Sequence, residues 1–108
     1  MIARNVHLRL KPNSVQEFTQ TIDKEVIPLL RKQKGFQDDI SIIVPGGREA
    51  IGISLWDHRA DAEAYGRQPY RRVLKALGNV VEGTPEVRTY NVSNSTFHKI
   101  QAAVLTEG

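Results

Sequence analysis

Residues 36–56 read FQDDISIIVPGGREAIGISLW, two apolar runs on either side of Pro45-Gly46-Gly47-Arg48. Proline fixes the first corner of a tight turn, and glycine supplies the positive φ of the second. The run before it, Phe36 to Val44, is dense in Ile40, Ile42, Ile43 and Val44. The run after it, Ala50 to Trp56, alternates Ile51, Ile53 and Leu55 against Gly52, Ser54 and Trp56. Two such runs joined by a tight turn read as a β-hairpin.

Upstream of the hairpin, Val6, Leu8 and Leu10 alternate with Asn5, His7 and Arg9, which predicts a strand over residues 2–10. Lys11-Pro12-Asn13 ends it. Ser14-Val15-Gln16-Glu17 matches a capping box, in which serine and glutamate each satisfy a free backbone N–H. Val15, Phe18, Ile22, Val26 and Leu29 then recur at steps of three and four, an amphipathic helix of about five turns. Pro28 lies inside it and is expected to kink it, and Gly35 is placed to stop it.

Downstream, Asp57 is positioned to cap a helix that begins near His58 or Arg59. Gln68-Pro69 breaks or restarts that helix, and Tyr70, Val73, Leu74 and Leu77 form a second apolar stripe ended by Gly78. Residues 79–85 read as a loop and residues 86–92 as a fourth strand. The order β-α-β-β-α-β is the split βαβ arrangement: an α+β, ferredoxin-like domain over residues 1–92, with a four-stranded antiparallel sheet and both helices on one face. The uncovered face is expected to carry Asn5, His7, Gly52, Ser54 and Trp56. Ile40, Ile42 and Ile43 occupy both parities and leave apolar surface without a cover, for which a second copy of the same sheet is a natural partner. A homodimer is therefore expected. Residues 93–108 form a C-terminal extension. It reads as a short helix carrying Phe97, Ile100 and Val104, or as an arm docking on the partner subunit.

The chain has 108 residues, one domain's worth, with 25% charged residues, a net charge of +3 and no cysteine. Disulfides, zinc–cysteine sites and thiol nucleophiles are excluded. No apolar run approaches the length of a membrane span and the first residues do not resemble a signal peptide, so a cytoplasmic protein without membrane contact is expected. The mild positive charge permits an anionic ligand. No nucleic-acid-binding motif is present. His7, His58 and His98 are scattered, so no metal site is expected.

The element order over residues 2–92, the run Glu25-Val26-Ile27-Pro28-Leu29-Leu30 leading to Gly35-Phe36, and the hairpin ending in Ser54-Leu55-Trp56 before a helix resemble the antibiotic biosynthesis monooxygenase-type family of dimeric α/β barrels. The resemblance implies two ferredoxin-like subunits whose sheets join as an eight-stranded barrel. Each subunit keeps a cavity between its helices and its sheet. It also implies one of several jobs: oxidation of polycyclic phenols or quinols with oxygen and no cofactor, binding or cleavage of haem, or no assigned activity. The haem-cleaving branch uses an asparagine, a tryptophan and a histidine at positions that fall near Val6, Tyr65 and Lys75, and none of these matches.

Two functions therefore stand side by side. One is a cofactor-independent monooxygenase-like protein acting on a small aromatic, polycyclic phenol or quinol-type compound. The other is a non-catalytic dimeric barrel that binds a small apolar molecule, haem among them. Cofactor-free oxygenation asks the protein to bind a flat molecule, help remove a proton, stabilise the anion and exclude water. The candidates for chemistry are His7 as base, Tyr65 as a hydroxyl donor and Arg71 as holder of an anionic oxygen. The candidate lining residues are Val6, Trp56, Tyr70 and Arg67, with the register of the first strand deciding whether Val6 or His7 faces the cavity. Each has a plainer reading: Trp56 and Tyr70 as core, His7 as a solvated or interface residue, and Arg67, Arg71 and Lys75 as a solvated helical stripe.

Overall fold

A computed structural model describes residues 1–100. Its elements follow the order β1 (Ile2–Leu10), α1 (Val15–Thr21), a π-helical turn (Ile22–Val26), α2 (Ile27–Arg31), β2 (Phe36–Ile43), β3 (Glu49–Trp56), α3 (Arg59–Gly66), α4 (Gln68–Ala76) and β4 (Val81–Asn91). The four strands form one antiparallel sheet in the order β2-β3-β1-β4. This is the ferredoxin-like α+β architecture expected from the sequence. No helix among the described residues is long and apolar enough to cross a membrane.

The first helical rod is continuous through α1, the π turn and α2. Pro28 has no N–H to offer the carbonyl four residues back. Just ahead of it the helix widens, and the Ile27 N–H bonds to the Ile22 carbonyl, five residues back. The expected kink is thus a π turn. The capping box does not form: the Ser14 hydroxyl donates to the Pro12 carbonyl at 3.3 Å and leaves the helix start without a side-chain cap. Asp57 does not cap α3 either. Its carboxylate accepts from Gln37 Nε2 at 2.8 Å, and His58 takes the N-cap position. Gly35 stops the rod as expected, at φ +78°. Its backbone also runs against α3, where a Cβ would come within 2.1 Å of Asp61 Oδ2.

Two irregularities set the faces of the sheet. In β2 the register slips between Phe36 and Asp38, so Asp38 lies opposite Leu55 and Asp39 opposite Ser54. Against β1, β4 shows a second irregularity between His7 and Arg9. Gly83, at φ +65°, and Pro85 fall inside it, so the segment read as a loop belongs to a bulged strand that begins at Val81.

The helices cover one face of the sheet. Ile2, Leu8, Leu10, Ala50 and Trp56 reach up from β1 and β3 to meet Phe18, Val26, Leu30, Tyr65, Val73 and Leu77, all buried. Since paired residues share a face, Gly52 and Ser54, opposite Val6 and Arg4, belong to this covered side with Trp56. The expectation that these three occupy the uncovered face is corrected. That face carries Asn5 and His7 from β1 and Ile51 and Ile53 from β3, which pair with Ile42 and Ile40. Ile40, Ile42 and Tyr90 are exposed there, at 47%, 41% and 47%.

After β4 the Val92 N–H bonds to the Met1 carbonyl, and the chain crosses to β2, where His98 Nε2 meets the Asp38 carboxylate. Through Ile100 the extension is not helical, and Phe97 is exposed. The remainder of the expected helix, with Val104, lies outside the described residues.

Candidate functional site

Small side chains in the middle of the covered face leave room beneath the helices. Gly52 lies between Val6 and Ser41 on its neighbouring strands, and a Cβ there would meet nothing within 4 Å. Above it sits a cavity of about 50 Å³ with Gly52 and Val6 in its lining. Phe18, Ile22 and Val26 wall it from the first rod and Tyr70, Val73 and Leu74 from α4, with Tyr65 entering from α3. The π turn thus places two of its residues, Ile22 and Val26, directly on the cavity. Its polar lining comes mostly from one cross-strand row. Asp39 on β2 lies opposite Ser54 on β3, which lies opposite Arg4 on β1.

Arg4 is 6% exposed, and among the described residues no carboxylate lies within ion-pair distance of it. Instead its guanidinium carbon sits 4.2 Å from the centre of the Tyr70 ring and 5.2 Å from that of Tyr65. Burial lowers the Arg4 pKa from its ordinary value, while the two neighbouring phenols oppose that shift. An arginine remains charged under such pressure. Among the described residues the cation is therefore held by the two tyrosines, through their ring faces and the nearby Tyr70 hydroxyl, and not by a carboxylate.

Those faces continue as a ladder. Tyr70 lies 6.1 Å from Tyr65, Tyr65 5.1 Å from Trp56, and Trp56 5.5 Å from Phe36 in an edge-on contact. Trp56 is fully buried, and its indole N–H donates to Ser54 Oγ at 2.8 Å. The Ser54 hydroxyl in turn donates to the Arg4 carbonyl at 3.4 Å, so it is occupied within the fold. Burial raises the Tyr65 phenol far above its ordinary range, and burial also raises that of Tyr70 against the pull of Arg4. Both stay neutral. Tyr70 Oη is buried, and among the described residues it makes no well-formed hydrogen bond, with the Arg4 guanidinium as its polar neighbour. Burial raises the Asp39 carboxyl as well, opposed by a hydrogen bond from Ser41 Oγ at 3.3 Å.

Of the residues singled out in the sequence, the structure brings Val6, Tyr65 and Tyr70 together on the cavity. Trp56 stands one layer behind Tyr65 as core. His7 points to the uncovered face, half-exposed, with Nε2 3.1 Å from Glu49 Oε1. The cavity lining includes neither Arg67 nor Arg71, and both are exposed. Arg4 and Asp39 were not singled out. A charge on a short strand ordinarily reads as a solvent-facing residue, and only the alternation Ile2, Arg4, Val6, Leu8 hints that Arg4 turns inward. Among the described residues no cluster of His, Asp and Glu is arranged to hold a metal.

No protein-family model matches the sequence, and no curated protein matches it either. Solved structures do match in fold. The chain superposes on a putative antibiotic biosynthesis monooxygenase from Bordetella bronchiseptica with a TM-score of 0.74 at 11% identity, covering 86% of this chain and 97% of that one. SnoaB, a cofactor-independent oxygenase from Streptomyces nogalater, matches with a TM-score of 0.72 at 13% identity, covering 88% and 95%. The ActVA-Orf6 monooxygenase of Streptomyces coelicolor, solved with nanaomycin D, matches with a TM-score of 0.73 at 14% identity, covering 91% and 92%. The chain thus has the fold of the antibiotic biosynthesis monooxygenase-type proteins.

Proposed function

We propose that this protein is a cofactor-independent monooxygenase-like enzyme acting on a small phenol or quinol in the cavity beneath its helices, working as a homodimer joined through its uncovered sheet faces. The observation that carries this reading is Arg4. A buried cation set against two tyrosines, with no carboxylate within ion-pair distance among the described residues, lacks a counter-charge, and a phenolate oxygen supplies one. Tyr70 Oη, buried beside Arg4 and without a well-formed hydrogen bond among the described residues, is a second donor for the same ligand. Val6 and Gly52 form an apolar floor for a flat ring, and Tyr65 closes the far wall against Trp56.

The chemistry needs no external reductant. Conversion of a phenol to a quinone releases four electrons, the number that dioxygen takes up when one oxygen atom enters the ring and the other leaves as water. The protein's part is to remove the phenolic proton, stabilise the anion and keep the site dry. At about 50 Å³ the cavity is smaller than the roughly 150 Å³ that accommodates a benzene. A ring therefore enters by displacing side chains on the open side, where Asp39 and Leu74 are partly exposed and Ser41 is exposed. This favours single-ring substrates over polycyclic ones. It also disfavours haem, as does the absence of any of the three histidines from the lining.

Oxygen uptake with a panel of single-ring phenols and quinols, without added flavin or metal, tests the reading. Uptake with quinone formation is expected, and Arg4→Met should lower the rate by about 100-fold or more while leaving the melting temperature at or above that of the wild type. Absence of uptake across the panel, or an Arg4→Met variant that turns over normally, defeats it.

A further inference from the structure

His7 stands on the wrong face of the sheet to take a proton from anything in the cavity, and the tyrosines are held neutral. The cross-strand row holds another acceptor. We infer that Asp39 accepts the proton of the bound hydroxyl while Arg4, two strands away in the same row, keeps the resulting oxyanion. This assignment deepens the phenol reading above and rests on it.

The placement follows from the bulge at the start of β2. Without the extra residue at Gln37, Asp38 would lie opposite Ser54 and point under the helices. With it, Asp39 takes that place and Asp38 turns to the other face to meet His98. Bulges re-aim side chains in this way beside functional sites. Asp39 and Arg4 flank Ser54, so their Cα atoms are about 10 Å apart, two strand spacings. Each side chain lines the cavity, and no ion pair joins them. A cation and a carboxylate that face one space without neutralising each other can act on the two ends of one proton transfer. The substrate O–H bond breaks, a carboxylic O–H bond forms on Asp39, and the electron pair stays on the oxygen held by Arg4. Burial that raises the Asp39 carboxyl narrows its gap to a phenol, which makes it a better base. Asp39 is also partly exposed, so the proton it holds while the anion is bound can pass to water once the product leaves.

The probe is 4-nitrophenol, whose phenolate is yellow and whose neutral form is nearly colourless. It reports binding and ionisation without turnover. The wild type is expected to bind it as the phenolate at a pH where it is neutral in solution. Titration calorimetry in two buffers of different ionisation heat should then show almost no proton released, since Asp39 retains it. Asp39→Asn, which keeps the size of the side chain, should release about one proton per bound molecule. Infrared difference spectra of the wild type give the same reading without a variant: a carboxylic C=O stretch should appear on binding. Equal proton release by the wild type and Asp39→Asn, no carboxylic band, or binding in the colourless form each overturns the assignment. Phenolate binding with proton retention but no oxygen uptake from any phenol or quinol would instead remove the oxygenase reading and leave Asp39 as the acceptor.

Discussion

The two faces of the sheet invert the usual pattern. Beneath the helices, where a core is expected, the middle of the sheet carries Arg4, Gly52, Ser54 and Asp39 around a cavity. On the uncovered face, where polar residues are expected, Ile40, Ile42, Ile51 and Ile53 form a block in the centre of two strands. A soluble antiparallel sheet ordinarily places its apolar residues toward the helices and its polar ones toward water. Each face here lacks something: the covered face lacks a counter-charge for Arg4, and the bare face lacks an apolar cover. In the reading proposed here, a small anion completes one and a second sheet completes the other. The rim of the covered face is different. It is ordinary core, and the largest expected loss of stability lies there.

Trp56 is fully buried between Phe36 and Tyr65, with its N–H satisfied by Ser54. Trp56→Ala should lower stability by about 3–5 kcal/mol, read from urea unfolding. It should also loosen Tyr65, so any loss of ligand affinity should accompany the loss of stability. Trp56→Phe, which keeps a ring at the site, should recover most of both. If Trp56→Ala abolished binding at unchanged stability, the tryptophan would belong to the cavity and the division between rim and centre would fail.

The bare face gives the next largest effect. Ile42 pairs with Ile51 across β2 and β3 at the middle of the isoleucine block. Ile42→Lys should raise the dimer dissociation constant by about 100-fold or more. It removes an apolar side chain worth about 1.5–3 kcal/mol when buried and places a charge in the interface. Sedimentation of the wild type and the variant over a concentration series checks this. A wild type that stays monomeric at high concentration, or a variant as dimeric as the wild type, would leave the isoleucines unexplained.

Much of the frame was legible in the chain and little of the site was. Pro45-Gly46-Gly47 and the apolar runs on either side placed the hairpin, and Gln68-Pro69 marked the break between α3 and α4. Parity failed on β3. Ile51, Ile53 and Leu55 are its more apolar set, yet they face away from the helices. The set Ala50, Gly52, Ser54 and Trp56 faces them because the space beneath is partly hollow, and small residues suit a hollow better than isoleucines. Asp39 was hidden for a different reason. Asp38 and Asp39 follow one another at the start of the strand, and nothing local distinguishes which of them turns inward. The single inserted residue at Gln37 decides which of them lies under the helices, and it is visible only once β2 is paired with β3. Arg4 was hidden because, in the reading proposed here, its partner is not part of the chain.

The hollow itself separates the two roles of the covered face with a smaller effect. Gly52 has an ordinary strand backbone and open space where a Cβ would stand. Gly52→Ala should therefore stabilise the fold by about 0.5–1 kcal/mol, since it restricts the unfolded chain at no steric cost. The same methyl group intrudes on the cavity floor and should weaken 4-nitrophenol binding. A gain in stability with a loss of affinity is what a ligand cavity produces. A gain in both would mean that the ligand sits elsewhere.

Asp39 carries the subtlest test, because it is only partly buried and solvent screens part of its cost. Its carboxyl titrates higher in the folded protein than in the unfolded chain, chiefly because burial disfavours the charged form. Between those two values the native state holds more protons than the unfolded state, so stability falls as pH rises through that window. Below the unfolded value, about 3.9, both states are protonated and the burden vanishes. Asp39→Asn has no charge to bury. Its unfolding midpoint should equal that of the wild type in acid and exceed it at neutral pH, the gap opening across the window and then staying constant. If instead Asp39→Asn lost stability at neutral pH, the carboxylate would be gaining more from the fold, through Ser41 or Arg4, than burial takes away. Asp39 would then read as a structural anion, and a proton acceptor poised beneath the helices would need to be sought in another residue.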